Sequence, residues 1–264
     1  MMLALVRSEL LKLRERTYLA GLVATTAFAV VSMIISVGDA GSVSQDRGPA
    51  GLVLSRAELI AADGLGRALG NSVEFIGLAL LTLVAINVGA EYTQGTIHNL
   101  LVREPRRPRL IAGKALTMLA LAFIVTIFSA VAGSVTALAM HSTKDVSIDA
   151  WMTGNGMLST LRGVLNLYIA VSGWMAMGLL LSTASRSAAT AIGIAVGYAL
   201  GVEIILSVAL GTSGQWLPGQ LLQTLARGGA PTMSYTGALA GSLFWITVCT
   251  ATASVIFTRR DVTA

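Results

Sequence analysis

Six long apolar segments, almost free of charge, constrain this chain more than any other feature of its sequence. They cover residues 18–37, 73–90, 115–140, 163–181, 187–210 and 237–257. Each is close to the ~20 residues that a helix needs to cross the hydrocarbon core of a bilayer. Among the charged residues, only Glu74 and Glu203 fall within these segments. The sequence therefore predicts an all-α integral membrane protein, with six transmembrane helices in a single transmembrane domain that covers residues 1–264.

The composition excludes an ordinary soluble domain. Only 12% of the residues are charged and the mean hydropathy is +0.76, whereas a soluble domain carries about 25% charged residues. The first apolar segment is longer than the ~7–15 residues of a signal-peptide core, so it is interpreted as a retained span. Cys249 is the single cysteine, which excludes an intrachain disulfide.

Basic residues are distributed unevenly between the two predicted sides of the membrane. With the N-terminus placed in the cytoplasm, twelve of the 18 Lys and Arg residues fall on the cytoplasmic side. This bias predicts a multi-pass membrane protein with both termini in the cytoplasm. The sequence pI of 9.8 is therefore interpreted as a consequence of topology, and no nucleic-acid partner is expected.

Residues 2–17 have the pattern of an amphipathic helix. Apolar side chains recur on one face, and the basic residues Arg7, Lys12 and Arg14 lie among the others. Such a helix can lie in the headgroup layer and bind anionic lipid. Two interpretations remain open: a basic anchor that fixes topology, or an interface helix that also touches a cytoplasmic partner.

Two predicted outer loops contain shorter helical patterns. A short surface helix is expected within residues 52–69. In residues 211–236, Leu221, Leu222 and Leu225 recur at roughly helical spacing after Trp216. This predicts an interfacial or re-entrant helix with the tryptophan near headgroup level.

The predicted cytoplasmic loop between the second and third segments is more structured than a connector requires. Apolar residues at helical spacing predict a short helix over residues 91–102, with Glu91 at its positive end. Pro105 and Pro108 then prevent the helix from continuing. The pattern predicts a short helix for docking, followed by a cluster of arginines. Alternatively the loop only holds topology, and Arg106 and Arg107 bind lipid phosphate.

Four short motifs surround this loop. They are Gly89-Ala90-Glu91-Tyr92, Gly95-Thr96-Ile97, Pro105-Arg106-Arg107 and Gly113-Lys114. Together with six spans and an amphipathic N-terminal helix, they resemble the permease subunits of type-2 ABC exporters. Two departures are visible: Ala90 separates Gly89 from Glu91, and Gly113 stands where alanine is usual.

The resemblance implies that residues 91–102 form a coupling helix seated in a separate ABC ATPase subunit. The implied coupling residues are Glu91, Tyr92, Gly95, Thr96, Ile97, Leu100, Leu101, Arg103, Arg106 and Arg107. ATP and Mg would bind to that ATPase, and the permease would pair with a second copy or a homologous permease. The substrate would be amphipathic: a drug, a peptide or a lipid.

The sequence lacks the phosphate-binding motif of an ATPase and the clustered ligands of a metalloenzyme. The single Gly-Lys pair, Gly113-Lys114, has no glycine-rich phosphate loop before it. Both histidines, His98 and His141, lie outside the spans, so no metal cluster is expected. The chain is therefore expected to be a transport permease, with no catalytic residue, metal or bound cofactor of its own.

The fifth segment carries a small-residue stripe and a glutamate. Gly193, Gly197 and Gly201 recur at every fourth position and allow another helix to approach closely. Glu203 is predicted to point away from that stripe. A polar or ionisable residue within the membrane is a functional candidate by default. Glu203 in the fifth segment and the polar Asn87 in the second are therefore candidates for the substrate path. The alternative is a structural role for Glu203, either snorkelling outward or bonding Asn166 or another polar group.

A different class of function also remains open at this point: an ATP-independent transporter, or a membrane protein that gives immunity to a bacteriocin. A secondary transporter usually shows paired broken helices and an internal repeat. The sequence shows no evident repeat, which favours the ATP-driven exporter.

Overall fold

The computed structural model describes residues 16–38, 54–94 and 107–259 of the chain. Within these residues the fold is helical, and extended pairing is limited to an isolated bridge between Ala230 and Met233. The helices are α1 (Arg16–Gly38), α2 (Arg56–Ile60), α3 (Gly64–Gly70), α4 (Val73–Thr93), α5 (Arg107–Met140), α6 (Gly154–Ser185), α7 (Ala188–Gly197), α8 (Glu203–Ala209), α9 (Pro218–Ala226) and α10 (Tyr235–Arg259). A π-helical segment, Tyr198–Val202, joins α7 and α8 into one continuous span.

Six helical stretches are long and apolar enough to cross a membrane. They are α1, α4, α5, α6, the α7–α8 span and α10, and each contains one of the six predicted segments. The prediction of an all-α, multi-pass membrane protein is confirmed at this level. Helices α5 and α6 begin well before residues 115 and 163, because polar residues in their first turns do not register as apolar sequence.

The two ends of the helix bundle carry different structures. One end, here called the loop end, contains residues 54–72, 141–153 and 210–234. The other, the terminus end, contains the outer turns of α1 and α10 and the beginning of α5. The charge bias predicts that the terminus end faces the cytoplasm.

Helices α4 and α6 form the centre of the bundle, and small residues allow them to approach closely. A Cβ atom at Gly77 would lie 2.1 Å from Cδ1 of the buried Trp174, and one at Gly178 would lie 2.9 Å from the backbone oxygen of Leu81. Lipid offers no strong hydrophobic drive for helices to associate, so close van der Waals packing of this kind stabilises membrane bundles.

The α7–α8 span and α10 lie at the periphery. Only 22% and 17% of their most apolar stretches are buried within the chain, and large apolar side chains such as Ile205, Val208 and Phe244 are exposed. A Cβ atom at Gly193, Gly197 or Gly201 would meet nothing within 4 Å. The predicted packing on this stripe therefore does not involve any described helix of the same chain, and it stays a prediction for a second chain.

The loop end is built from short helices. The predicted helix within residues 52–69 consists of α2, which begins with a capping box between Ser55 and Glu58, and α3. The expected surface position is wrong for α3, because Leu65, Ala68 and Leu69 are buried. Helix α9 confirms the prediction that residues 211–236 contain a helix.

A substitution at Gly89 tests the close packing of the spans. A Cβ atom at Gly89 would lie 2.4 Å from the backbone nitrogen of Ala188, so Gly89→Ala forces α4 and α7 apart. We expect the variant to lose about 1–3 kcal/mol of stability, the usual cost of overpacking. Thermal unfolding of the purified protein in detergent, followed by circular dichroism, measures the loss.

Gly154→Ala, at the first residue of α6, is the matched control, because the same methyl group is added where it meets nothing within 4 Å and outside the glycine stripe. It should leave the unfolding temperature unchanged or slightly raised, since alanine favours a helix by up to about 1 kcal/mol over glycine. Equal losses in both variants would show that the contact between α4 and α7 is not what limits stability.

Candidate functional site

A buried ion pair joins the second and third spans at the terminus end. Lys114 Nζ lies 2.6 Å from Glu91 Oε1, and the two side chains are only 6% and 8% exposed. Glu91 lies near the C-terminal end of α4, and Lys114 lies early in α5. Removing two charges from water is costly, and only a close, well-aligned pair offsets that cost. The two helices are therefore fixed relative to each other at this point.

The structure corrects the predicted position of Glu91. It does not begin a separate helix; it lies near the end of α4, which extends to Thr93. The carbonyl end of a helix carries partial negative charge and disfavours a carboxylate. Lys114 offsets this effect. The sequence contained a signal for the pair, because both residues adjoin predicted spans that turn back on each other.

Asn87 lies one turn before Glu91 and ties the first span to the second. Its Nδ2 donates a hydrogen bond to the hydroxyl of Tyr18 in α1. Both residues, together with Lys114, line a small cavity of about 20 Å³. A cavity of this size has room for about one water molecule. Asn87 therefore has a structural contact beside the ion pair, and its predicted place on a substrate path stays a prediction.

The other residues of the predicted coupling segment are placed only in part. Tyr92 is partly buried against the main apolar core, and Arg107 is the first residue of α5. The remaining predicted positions lie outside the described residues: Arg7, Lys12, Arg14, Gly95, Thr96, Ile97, Leu100, Leu101, Arg103 and Arg106. Their roles, like the helix over residues 2–17 and the coupling helix, stay predictions.

Glu203 is buried and interacts with the beginning of another helix. It is 2% exposed, and its Oε1 accepts a hydrogen bond from the backbone N–H of Gln220, at 2.7 Å. Tyr198 also interacts with the carboxylate. Gly219 permits the approach, because a Cβ atom there would lie 2.6 Å from Oε1.

This contact gives α9 the cap that its own sequence lacks. Leu217 is the N-cap residue and has no side-chain acceptor, whereas the first N–H groups of a helix need a partner that the helix does not supply. The structural alternative for Glu203 is thus supported, with a different partner: α9 rather than Asn166, which accepts a hydrogen bond from the hydroxyl of Tyr235.

Glu203 and the glycine stripe lie on different sides of the fifth span, as predicted. The carboxylate is buried, while the position of a Cβ atom at Gly201 is open. The π-helical segment ends just before Glu203, and such segments change the direction of the side chains that follow. The sequence pattern gave no sign of this irregularity.

A large apolar groove lies between α5, α6 and α10. Its volume is about 590 Å³, and Met118, Met175 and Ile246 are among the residues that line it. Three of the four hydroxyls in its wall donate to carbonyls of their own helices: Ser172 to Tyr168, Thr247 to Leu243 and Thr250 to Ile246. The groove therefore offers an apolar wall with few free polar groups, which suits a hydrocarbon chain or another apolar group.

Residues 69–263 match the model of DUF2705, a family of proteins of unknown function. The chain belongs to this family. The matched region contains the ion pair, Glu203 and the groove, and it leaves out the first span, Arg16–Gly38. No match was found among curated proteins.

Metal-binding residues do not come together in the part of the chain that the structure describes. No three His, Cys, Asp or Glu side chains there form a group that could hold a metal ion.

The buried ion pair predicts a strong effect of removing one partner. Lys114→Met leaves Glu91 buried without its cation, and such changes typically cost about 3–5 kcal/mol. The double variant Glu91→Leu/Lys114→Met removes both charges and should regain most of the lost stability. Thermal unfolding of the four proteins of this cycle measures the coupling between the two residues.

The pair between Asp63 and Arg67 provides the control. It has a similar N–O distance of 2.7 Å, but its side chains are 36% and 45% exposed. Asp63→Asn is expected to cost at most about 1 kcal/mol, because water screens exposed pairs. If Lys114→Met is no worse than Asp63→Asn, the ion pair does not hold the two spans together.

The cap on α9 predicts different effects for two Glu203 variants. Glu203→Gln keeps the oxygen that accepts the hydrogen bond from Gln220, whereas Glu203→Leu removes it. Loss of a cap costs about 0.5–2 kcal/mol, so we expect amide exchange in the first turn of α9 to be about tenfold faster in the leucine variant. Hydrogen exchange read by mass spectrometry measures the rates. Unchanged exchange in Glu203→Leu would exclude the capping role.

Proposed function

We propose that this chain is the permease subunit of an ATP-driven exporter and works with a separate ATPase, as type-2 ABC exporters do. The observation that carries the proposal is the buried ion pair between Glu91 and Lys114. It clamps the two helices on either side of residues 95–106, the segment that contains most of the implied coupling residues. A force applied to that segment by a partner protein would thus move two spans together.

The packing provides a route for that movement into the rest of the bundle. Helix α4 touches the start of the fifth span where Gly89 meets Ala188. Fifteen residues later, ~22 Å along a helix at ~1.5 Å per residue, Glu203 holds the beginning of α9 at the loop end. Movement at the terminus end is therefore linked to a helix at the opposite end, as alternating access requires.

The groove between α5, α6 and α10 supports an amphipathic substrate. Its wall is apolar and its volume of about 590 Å³ falls in the range of about 300–1,000 Å³ typical of small-molecule sites. We propose that it receives the apolar part of a drug, a peptide or a lipid. The glycine stripe of the fifth span, which no described helix of this chain covers, would face a second permease.

The proposal places the protein in the bacterial plasma membrane with both termini in the cytoplasm. The terminus end then faces the ATPase, and ATP and Mg bind to that subunit. No catalytic residue is proposed in the permease itself.

Copurification with a charge reversal in the arginine cluster tests this function. The tagged full chain is purified from its native membrane, and copurifying proteins are identified by mass spectrometry and assayed for ATP hydrolysis. We expect an ATPase subunit with a glycine-rich phosphate-binding loop to copurify with the wild type. Arg106→Glu should reduce its recovery at least tenfold, because a buried charge contact at an interface typically contributes more than 1.4 kcal/mol.

Arg259→Glu is the matched control, because it reverses one exposed charge at the same end of the bundle. It should leave recovery of the ATPase unchanged. The proposal is wrong if no ATPase copurifies with the intact chain, or if both reversals reduce recovery equally. An ATP-independent transporter would give the first of these results.

A further inference from the structure

A second cavity, at the loop end, is lined by charged and polar groups instead of apolar ones. Its volume is about 350 Å³, and three arginines from three different parts of the chain reach it: Arg67, Arg162 and Arg227. Asp63, Ser159, Asn166 and Tyr235 complete the polar part of its wall. We call it the arginine cavity. The proposed export mechanism does not use any of these residues.

Close contacts between backbones bring the first two arginines together. A Cβ atom at Gly163 would lie 2.7 Å from the Cα of Gly66, so α3 and α6 cross almost in contact. Arg67 and Arg162 each adjoin one of these two glycines in sequence. Their convergence on one cavity is therefore fixed by the crossing of two helices, and it does not depend on flexible loops.

The third arginine is fixed by a similar contact. A Cβ atom at Gly70 would lie 2.4 Å from the backbone oxygen of Ala226, which seats the end of α9 on the end of α3. Arg227 follows directly and its Nε donates a hydrogen bond to Asn71 Oδ1, at 2.9 Å. Asn71 in turn donates to Ser36 Oγ in α1. The site thus has a backbone scaffold drawn from α3, α6 and α9, with a side-chain link to α1.

Among the described residues, acidic groups compensate for only part of this positive charge. Asp63 Oδ2 lies 2.7 Å from Nε of Arg67, and Glu74 interacts electrostatically with Arg227. Arg162 makes no hydrogen bond or ion pair with another described residue. Like charges placed together are unfavourable unless something of opposite charge lies between them. The cavity therefore carries an excess positive charge that an anion would neutralise.

The shape and position of the cavity indicate which kind of anion it would bind. A guanidinium group binds phosphate or carboxylate through two parallel N–H donors. A phosphate presents its oxygens in a tetrahedron and can accept from three arginines at once, whereas a carboxylate has only two oxygens. Arg162 also directly precedes the fourth apolar segment, residues 163–181, and Tyr235 is the first residue of α10. The cavity is thus at the level where lipid headgroups lie.

We propose that the arginine cavity is a binding site for a phosphate group, with Arg162 as the residue that contacts the ligand most directly. The phosphate comes either from the headgroup of an anionic lipid or from a soluble phosphate compound. The proposal stands independently of the exporter mechanism, because it requires no ATPase and no transport.

Binding of two defined probes to the purified full chain tests the proposal. The protein is kept in an uncharged maltoside detergent and titrated by calorimetry with inorganic phosphate or with dioctanoyl phosphatidylglycerol. We expect saturable binding of at least one probe to the wild type. Arg162→Gln should weaken it at least tenfold, since a charge-assisted hydrogen bond is lost. Arg162→Lys keeps the charge but loses the paired donors, so its affinity should be intermediate.

Lys144→Gln is the matched control. It removes one exposed positive charge at the same end of the protein but outside the cavity, and it should change affinity less than twofold. Binding of the lipid but not of phosphate identifies a headgroup, and displacement of the lipid by phosphate identifies the phosphate group itself as sufficient.

Two results would overturn the proposal. One is that neither probe binds the wild type saturably. The other is that Arg162→Gln and Lys144→Gln weaken binding equally, because the effect would then come from general surface charge. Unfolding temperatures of all variants are measured alongside; because Arg162 is exposed, they should match the wild type.

Discussion

The hydrocarbon interior of a bilayer offers polar groups no partner, and most of this structure is a response to that fact. Backbone groups are satisfied within helices, which explains why the described spans contain no strands. Many hydroxyls within the spans donate to carbonyls one turn earlier, as Thr82 does to Leu78 and Thr250 to Ile246. Charges are held in the same way: Lys114 neutralises Glu91 where both are buried.

Glu203 shows that the same requirement also shapes the loop end. A helix that begins with Leu217 and Pro218 has no acceptor of its own for its first N–H groups. The carboxylate of a neighbouring span supplies one, and Gly219 leaves room for it. An intramembrane glutamate, which by its rarity suggests a substrate path, thus has a defined structural partner. The requirement to satisfy buried donors accounts for its position before any transport role is invoked.

The charged residues among those described lie toward the two ends of the bundle, and the two ends differ in character. The terminus end has a closed, neutral ion pair that fixes two helices. The loop end has an open cavity with an excess of arginine. The first arrangement suits transmission of movement, since it is rigid and has no room for a ligand. The second suits binding, since its charge is incompletely compensated and solvent can enter.

By itself, the sequence determined the fold class, the number and approximate bounds of the spans, and the existence of α9. Those features follow from hydropathy and local periodicity, which depend on neighbours in the chain. It also identified Glu203 as unusual, because charge is rare in such segments, and it singled out Glu91 as part of the predicted coupling segment. Their partners depended on contacts distant in sequence, so only the tertiary structure placed Lys114 beside Glu91 and α9 beside Glu203. The arginine cavity was out of reach for the same reason, because Arg67, Arg162 and Arg227 are far apart in the chain. They come together only through the crossing of α3 and α6 at Gly66 and Gly163 and the contact of α9 with Gly70.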